Sequence, residues 1–526
     1  MSSRLARSAG VISLAILASR LLGVVRESVL AYYFAASAPM DAYNVAFRIP
    51  NLLRDLFAEG AMTSAFVPAF TRTLQQRGRE HAWRLGNLVI NALLVITGTL
   101  AILGMVFAAP ITFLIAPKFA AVPGKLELTT LLTQVMLPFL TTVAVAVAMM
   151  GMLNSLHRFF IPSLSPAMFN VATIVCAVTL VPLLGYVGWP PILAIAIGTL
   201  AGGLGQMAIQ WPALYREGFR YRPVLDFKDP ELRQILRLMG PGTLGVAAVN
   251  INVMVNTYLA AAQPGAVSWL GYAFRLMYLP IGLFGVSIAT AALPDLARHA
   301  GDGDHAAIRR GVSSALRLML MLNIPAMVGL IVLAEPIVAL LYQRGQFTDA
   351  DTQATAAALR FYAPGLIGYS IVRIASPTFY SLGNSRTPVI VSVMSVTVNL
   401  VLNILLFRIM GFRGLALGTA LAALFNAGTL LWLLRGRLGG IEGRQVAIAF
   451  LKIAGAAVLM GIVAAFTAAR LETMMPGSSE LVRVLRVSTA ISVALVALVV
   501  SARLLRIEEF TDATERVLRR VLPARR

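Results

Sequence analysis

Charged side chains occur inside stretches of this sequence that are otherwise apolar and long enough to cross a membrane. The arginines there are Arg20, Arg26, Arg48, Arg54, Arg275 and Arg373, and the acids are Glu27, Asp41, Asp55 and Glu59. An ionised group in hydrocarbon is costly, so by default it marks a functional site. Because the arginines outnumber the acids, we expect a cavity with surplus guanidinium, which binds phosphate or carboxylate through paired hydrogen bonds. The ligand is therefore predicted to be anionic, and export of a cationic drug is disfavoured.

A structural role is the alternative for each single charge. Arg20 and Glu27 are seven residues apart, nearly two helical turns, and could pair on one helix face. Arg48 and Asp55 have the same spacing. Asp41 lies at the expected start of a helix and could cap it. Such pairs would explain individual residues, but they leave the excess of arginine unexplained.

Covalent chemistry is not indicated. No phosphate-binding glycine loop, nucleophilic serine motif or metal-ligand spacing is present, and the only cysteine, Cys176, lies in an apolar stretch. Asparagines recur in two apolar stretches, where hydrogen bonds between helices are the simplest explanation. These are Asn250, Asn252, Asn256, Asn399 and Asn403. We therefore expect no catalytic residues, no metal site and no cofactor.

The composition predicts an all-α polytopic membrane protein. Apolar residues make up 58% and charged residues 13% of the 526 residues, against roughly 45–50% and 25% in soluble domains. Apolar stretches of about 20 residues, enough to cross a hydrocarbon core of ~30 Å, recur along the whole chain. The predicted spans, about fourteen, are 11–35, 40–71, 87–115, 128–155, 163–183, 190–213, 234–262, 267–297, 312–341, 352–382, 387–409, 413–434, 445–469 and 482–504.

The net charge of +21 follows membrane topology and does not indicate nucleic acid. The connections between spans alternate between basic and weakly charged, with 28 lysines and arginines on one side and 8 on the other. The positive-inside rule then predicts that the basic side, with both termini, is cytoplasmic.

An internal repeat indicates two similar halves. Ala46–Arg48 reappears as Ala273–Arg275 after 227 residues, and Ser155-Leu156 as Ser381-Leu382 after 226. Six spans separate the copies, so both enter the membrane in the same direction, a plan known from transporters that hold substrate between two lobes.

The predicted organisation is two six-helix parallel repeats around a central cavity, followed by two C-terminal helices. It has an N-lobe at 1–225 (spans 1–6), a C-lobe at 226–440 (spans 7–12), and a last segment at 441–526 with spans 13–14 and a cytoplasmic tail.

Short motifs across nearly the whole chain resemble the MurJ/MviN family. The most specific are Ser19–Glu27, Asp41–Tyr43, Pro50–Arg54, Phe57–Ala61 and Ala65–Pro68; others are Arg275-Leu276, Leu279-Pro280, Phe284–Val286, Tyr380-Ser381 and Thr387-Pro388. The family belongs to the multidrug/oligosaccharidyl-lipid/polysaccharide exporter superfamily. Its members flip lipid II, the undecaprenyl-pyrophosphate-linked peptidoglycan precursor, across the bacterial inner membrane. The resemblance thus implies a transporter that is not an enzyme.

The resemblance also implies roles for the buried charges. Arg20, Arg26, Arg54 and Arg275 match family arginines of a central cationic cavity that would receive the pyrophosphate and the sugar-peptide head. Roles in gating or ion pairing are expected for Glu27, Asp41, Arg48, Asp55 and Glu59, and Arg373 is a secondary candidate for the site. The two extra helices would frame a groove for the polyprenyl tail. We expect a monomeric transport unit, with the cell-wall synthesis or division machinery as a candidate partner.

Two departures from the family pattern limit what can be carried over. Phe274 and Tyr278 stand where many relatives have acids near the arginine of span eight, and asparagines stand where relatives thought to couple to sodium have acids. Two rival functions remain open. One is export of another lipid-linked oligosaccharide; the other is a membrane-embedded glycosyltransferase, which would need catalytic acids in a large outer loop.

Overall fold

The computed structural model describes residues 2–55, 65–282, 286–477 and 479–510. Side chains are described within these ranges except at 2–16, 239–251, 286–287 and 289–291. The described residues form helices and connections, without strands.

Nineteen α-helices and one short 3₁₀ helix, Pro117–Ala121, are present in the described residues. The first eight α-helices are α1 (Ser2–Phe34), α2 (Ala38–Arg54), α3 (Val67–Val106), α4 (Ala108–Ile115), α5 (Lys125–Met136), α6 (Phe139–Ser155), α7 (Phe160–Val187) and α8 (Leu193–Arg216). The next nine are α9 (Pro230–Ala260), α10 (Ala266–Pro280), α11 (Val286–Gly301), α12 (His305–Val332), α13 (Ala334–Tyr342), α14 (Asp349–Tyr362), α15 (Gly365–Ser381), α16 (Arg386–Met410) and α17 (Phe412–Leu438). The last two are α18 (Gly443–Met474) and α19 (Glu480–Leu504).

Where the structure describes them, the fourteen predicted spans fall on helices, but several are interrupted. Within the described residues, nine helical segments are long and apolar enough to cross a membrane by themselves. Other spans consist of shorter helices, such as α10 followed by α11 and α14 followed by α15. The predicted third span begins inside α3, which also contains the end of the second span and has a non-helical residue, Gly78, between the two parts. The prediction of a multi-span all-α protein is confirmed.

The helix boundaries repeat with the offset found in the sequence. The fourth span is broken at Pro138 into α5 and α6, and the tenth is broken at Pro364 into α14 and α15. Both α6 and α15 have 17 residues, and both their first and last residues are 226 positions apart. Proline has no backbone N–H to donate within a helix, which explains a break at the same place in both halves.

The chain forms two compact units. The first comprises Met1–Ser268 with Arg344–Phe347, and the second comprises Trp269–Gln343 with Thr348–Arg526. In the first unit a core of buried aromatic and aliphatic side chains joins α3 to α6; it includes Phe70, Leu85, Met149 and Met152. In the second, α12, α15 and α17 share a core that includes Leu316, Phe379 and Leu430. The predicted lobe boundaries remain a prediction.

The last two long helices pack against each other and against α12. Ile453 and Ala457 of α18 and Ala502 of α19 lie in one buried cluster with Ile324 of α12. Elsewhere α18 and α19 expose large apolar side chains, among them Ile462, Phe466 and Val496. Exposed apolar surface of this extent is expected where a protein faces lipid.

Two helices, α9 and α12, begin with an aspartate N-cap. Asp229 accepts hydrogen bonds from the backbone N–H groups of Glu231 and Leu232 at the start of α9. Asp304 caps α12 by accepting from the Ala307 N–H at 2.9 Å, and this bond lowers the pKa of the Asp304 carboxyl. These caps fix where the two helices begin.

Candidate substrate-binding sites

The arginines of α1 have different surroundings. Arg26 forms an ion pair with its neighbour Glu27, which is buried, and its guanidinium carbon lies 5.0 Å from the centroid of the Phe169 ring. Arg20 is half-buried and makes no hydrogen bond or ion pair with any described residue. The spacing of seven residues therefore does not join Arg20 to Glu27, and no acid among the described residues pairs with Arg20.

At the end of α2 the acid again pairs with the adjacent arginine. Arg54 donates to Asp55 Oδ1 at 2.8 Å, and the Asn51 amide donates to the other carboxylate oxygen at 3.4 Å. Asp55 is thus a partner of Arg54 and not of Arg48, which lies half-buried in the same helix. Glu59 lies outside the described residues.

Asp41 is fully buried and accepts four hydrogen bonds. Lys125 Nζ donates at 3.0 Å and the Gly265 backbone N–H at 2.9 Å, both to Oδ2. Ser268 donates to Oδ1 through its backbone N–H at 3.1 Å and its hydroxyl at 2.7 Å. Asp41 does not cap α2, because the N-cap position is Ser37 and the Asp41 carboxylate bonds to other elements. Sequence reasoning missed Lys125, which lies between the predicted spans 87–115 and 128–155.

The Asp41 network joins positions that the repeat makes equivalent. Ser268 lies 227 residues after Asp41, the offset found in the sequence. Lys125 is itself 5% exposed, and its ammonium lies 3.9 Å from the centroid of the Phe119 ring. A buried carboxylate with one cation and three further donors is fully compensated. This network is suited to holding helix ends in place, not to binding an anion.

In the second unit, an aromatic cluster surrounds the charged positions. Arg373 on α15 donates to the Tyr278 hydroxyl at 2.7 Å. The Tyr278 ring stacks on Phe274 at a centroid distance of 5.8 Å, and Phe274 also contacts Tyr362 edge to face. Tyr278, which departs from the family pattern, therefore gives Arg373 a neutral partner that leaves its charge available. Arg275 lies half-buried on α10.

Two of the five asparagines bond to each other within one helix, and the side chain of Asn250 lies outside the described ones. Asn403 donates to Asn399 Oδ1 at 2.8 Å on α16, and both are buried. A Cβ atom at Gly418 of α17 would lie 2.1 Å from Asn403 Oδ1, so the two helices approach closely at this point. Among the described residues, no three His, Cys, Asp or Glu side chains are grouped as metal ligands.

Two repeated sets of membrane helices with cations inside them define a class of multi-span transporter. The solved fold of a multidrug resistance MATE family transporter of the MOP superfamily, in an inward-facing conformation, is similar. The TM-score is 0.63 at 18% identity, over 82% of this chain and 95% of that one. At this identity the likeness shows the fold alone.

Within that class, the chain belongs to the lipid II flippase MurJ family, whose family model matches residues 30–485. It is 34% identical over 438 residues to the probable lipid II flippase MurJ of Vibrio cholerae, covering 82% of this chain and 83% of the relative. It is 36% identical over 440 residues to the probable lipid II flippase MurJ of Rhizobium meliloti, covering 81% of this chain and 80% of the relative. A solved structure of a lipid II flippase MurJ, in an inward closed conformation, matches with a TM-score of 0.75 at 27% identity, over 94% of this chain and 98% of that one.

Proposed function

We propose that this protein flips lipid II from the cytoplasmic to the outer leaflet of the bacterial inner membrane, and so supplies cell-wall synthesis. Its membership of the lipid II flippase family carries the proposal. The arginines within its spans supply the physical reason, because a pyrophosphate is a bidentate anion that guanidinium groups bind well. The process breaks no covalent bond and uses no cofactor.

The binding roles are distributed over both units. Arg20, Arg26 and Arg54 of the first unit and Arg275 of the second bind the pyrophosphate and the adjoining head, with Arg373 as a secondary contact. Glu27 and Asp55 hold the neighbouring arginines, Arg26 and Arg54, in position. Arg48 and Glu59 act in gating or pairing, and Asp41 acts through its network with Lys125 and Ser268.

Transport proceeds by alternating access of an N-lobe (1–225) and a C-lobe (226–440), with both termini in the cytoplasm. The polyprenyl tail stays in the bilayer, along the helices of the last segment (441–526). The exposed apolar side chains of α18 and α19 support this part of the proposal. The transport unit is a monomer, and the division and cell-wall machinery is its expected partner.

The test replaces Arg275 by alanine in a strain depleted of its own flippase. Loss of a charge-assisted contact costs about 1.5–3 kcal/mol of binding, which is roughly a 10- to 100-fold loss of affinity. We expect Arg275→Ala to abolish growth support at a normal protein level. Arg408→Ala, at an exposed position on α16, is the matched control and should retain it. Full complementation by Arg275→Ala would contradict the assigned site.

The function itself is tested by the accessibility of lipid II to an external probe. Cells depleted of this protein should lose external lipid II, and the wild-type chain should restore it. Continued exposure of lipid II during depletion would exclude this protein as the essential flippase.

A further inference from the structure

The first unit contains a cavity whose lining is partly polar and partly apolar. Its volume is about 450 Å³, within the range of 300–1,000 Å³ common for small-molecule sites. Apolar walls come from α6 and α7, including Val147 and the rings of Phe139 and Phe169. Its polar lining consists of Ser19, Arg54, Ser165, Asn170, Gln206 and Gln210. Three of these six are carboxamides and one, Arg54, is charged, so most of the polar groups in the lining are neutral.

Close packing of α7 against α8 holds the carboxamides in position. A Cβ atom at Gly198 would lie 2.9 Å from the Thr173 Cα, and one at Gly202 would lie 2.9 Å from the Phe169 Cα. Small residues four positions apart allow two membrane helices to approach this closely. The Asn170 amide then donates to the Ser19 carbonyl at 3.0 Å, which ties α7 to α1 at the cavity wall.

Several amide atoms of the wall have no protein partner. Gln210 Nε2 lies within hydrogen-bond distance of the Ala146 and Gln206 carbonyls and of the Ser165 hydroxyl, which fixes the orientation of its amide. Its Oε1 is buried and accepts no hydrogen bond from the described residues. Gln210 itself is 1% exposed. The half-buried side chain of Gln206 makes no hydrogen bond with any described residue. A ligand that both donates and accepts would satisfy these groups.

We propose that this cavity is a subsite for a sugar of the lipid-linked head group, an inference that rests on the proposed flippase function. Sugar hydroxyl and acetamido groups donate as well as accept hydrogen bonds, as carboxamides do. An ionised pyrophosphate only accepts, so it could match the amide N–H groups of the wall but not its carbonyl oxygens. Arg54, which is assigned above to the pyrophosphate, is the cation at the edge of this wall, and its guanidinium also contacts Asp55 at 2.8 Å. The carboxamides of the wall therefore favour the sugar that adjoins the pyrophosphate.

The position of the cavity fits the loading side. Ser165 is five residues after the start of α7, Met150 is five before the end of α6, and Gln210 is six before the end of α8. These helix ends join the basic connections that the charge distribution predicts to be cytoplasmic. The cavity is thus within about two helical turns of the side from which the head group enters.

The test compares two lipids on the purified full chain in lipid nanodiscs: lipid II, and undecaprenyl pyrophosphate, which has no sugar. Val147→Phe fills the cavity and Gln206→Leu removes one carboxamide. Both variants should weaken binding of lipid II by about five- to tenfold, the value of one or two hydrogen bonds. Their binding of undecaprenyl pyrophosphate should stay unchanged. Val178→Phe, at an exposed position on α7, is the control for added bulk and should bind both lipids as the wild type does.

Other results would contradict either the sugar subsite or the proposed function, and the two cases can be told apart. Unchanged lipid II binding by both variants, or an equal loss for the two lipids, would overturn the sugar subsite while the flippase function stands. If the wild type binds lipid II no more tightly than undecaprenyl pyrophosphate, the sugar subsite is also excluded. Failure of the wild type to bind lipid II at all would overturn the proposed function.

Discussion

At the scale of single residues, burial decides which charges hold the structure. Asp41 and Lys125 have side chains that are 1% and 4% exposed, and they contact each other at 3.0 Å. In contrast, Asp295 and Arg298 pair at 3.3 Å with side chains 74% and 67% exposed. Removing one partner of a buried pair leaves an uncompensated charge, whereas solvent compensates an exposed one. The two pairs should therefore differ greatly in their effect on stability.

We expect Lys125→Met to destabilise the protein by about 3–5 kcal/mol, because Asp41 would stay buried without its cation. The double variant Lys125→Met/Asp41→Asn should be more stable than Lys125→Met alone, since it removes both charges. The free energy of unfolding of the purified protein in detergent measures both effects. Arg298→Ala is the control and should cost at most about 1 kcal/mol. Additive losses in the double variant would show that Asp41 and Lys125 do not depend on each other.

The sequence identified the charged positions better than it identified their partners. Arg20, Arg26 and Arg54 stood out because arginine is rare inside an apolar stretch. The acids were assigned by helical spacing, but Glu27 and Asp55 each pair with the adjacent arginine, because long side chains can reach a neighbour without sharing its helix face. Lys125 falls in a predicted connection between two spans, and no local sequence pattern indicates that its side chain is buried against Asp41.

At the scale of helices, the breaks were more predictable than the packing. Pro138 and Pro364 are visible in the sequence, and both mark the junction between two helices. The close approach of α7 and α8 could not be located from sequence, because 42 glycines are spread over the chain and only some meet another backbone. Three-dimensional contacts distinguish Gly202, which faces Phe169, from Gly205, which faces the flexible side chain of Met168.

This difference predicts opposite effects of the same substitution on one helix. Gly202→Ala places a methyl group 2.9 Å from the Phe169 backbone, so the helices must separate, at about 1–3 kcal/mol. Gly205→Ala places it 3.4 Å from Met168 Cβ and gains helix propensity of up to about 1 kcal/mol. Thermal unfolding of the purified variants should therefore give a lower midpoint for Gly202→Ala and an equal or higher one for Gly205→Ala. Equal midpoints would mean that the contact between α7 and α8 adds nothing to stability.

At the scale of the first unit, separate basic connections meet at one face. Arg79, directly after Gly78 in α3, and Arg158, between α6 and α7, both pair with Glu217 after α8. Arg77 pairs with Glu231 at the start of α9. Connections that the charge distribution assigned to the same side are thus in contact. Their common charge underlies the direction predicted for the molecule in the membrane, with the basic connections in the cytoplasm.

That direction can be measured with single cysteines. Cys176→Ala removes the only native thiol. Trp189→Cys places an exposed thiol between α7 and α8, and Lys228→Cys places one between α8 and α9, on the basic side. The experiment uses cells whose outer membrane has been removed and whose inner membrane is intact. A membrane-impermeant maleimide should label position 189, and it should label position 228 only after the inner membrane has been permeabilised. The reverse pattern would invert the proposed topology, and lipid II would then have to enter from the face with few positive charges. That outcome would contradict the placement of the sugar subsite on the loading side, because its lining residues lie near the basic helix ends.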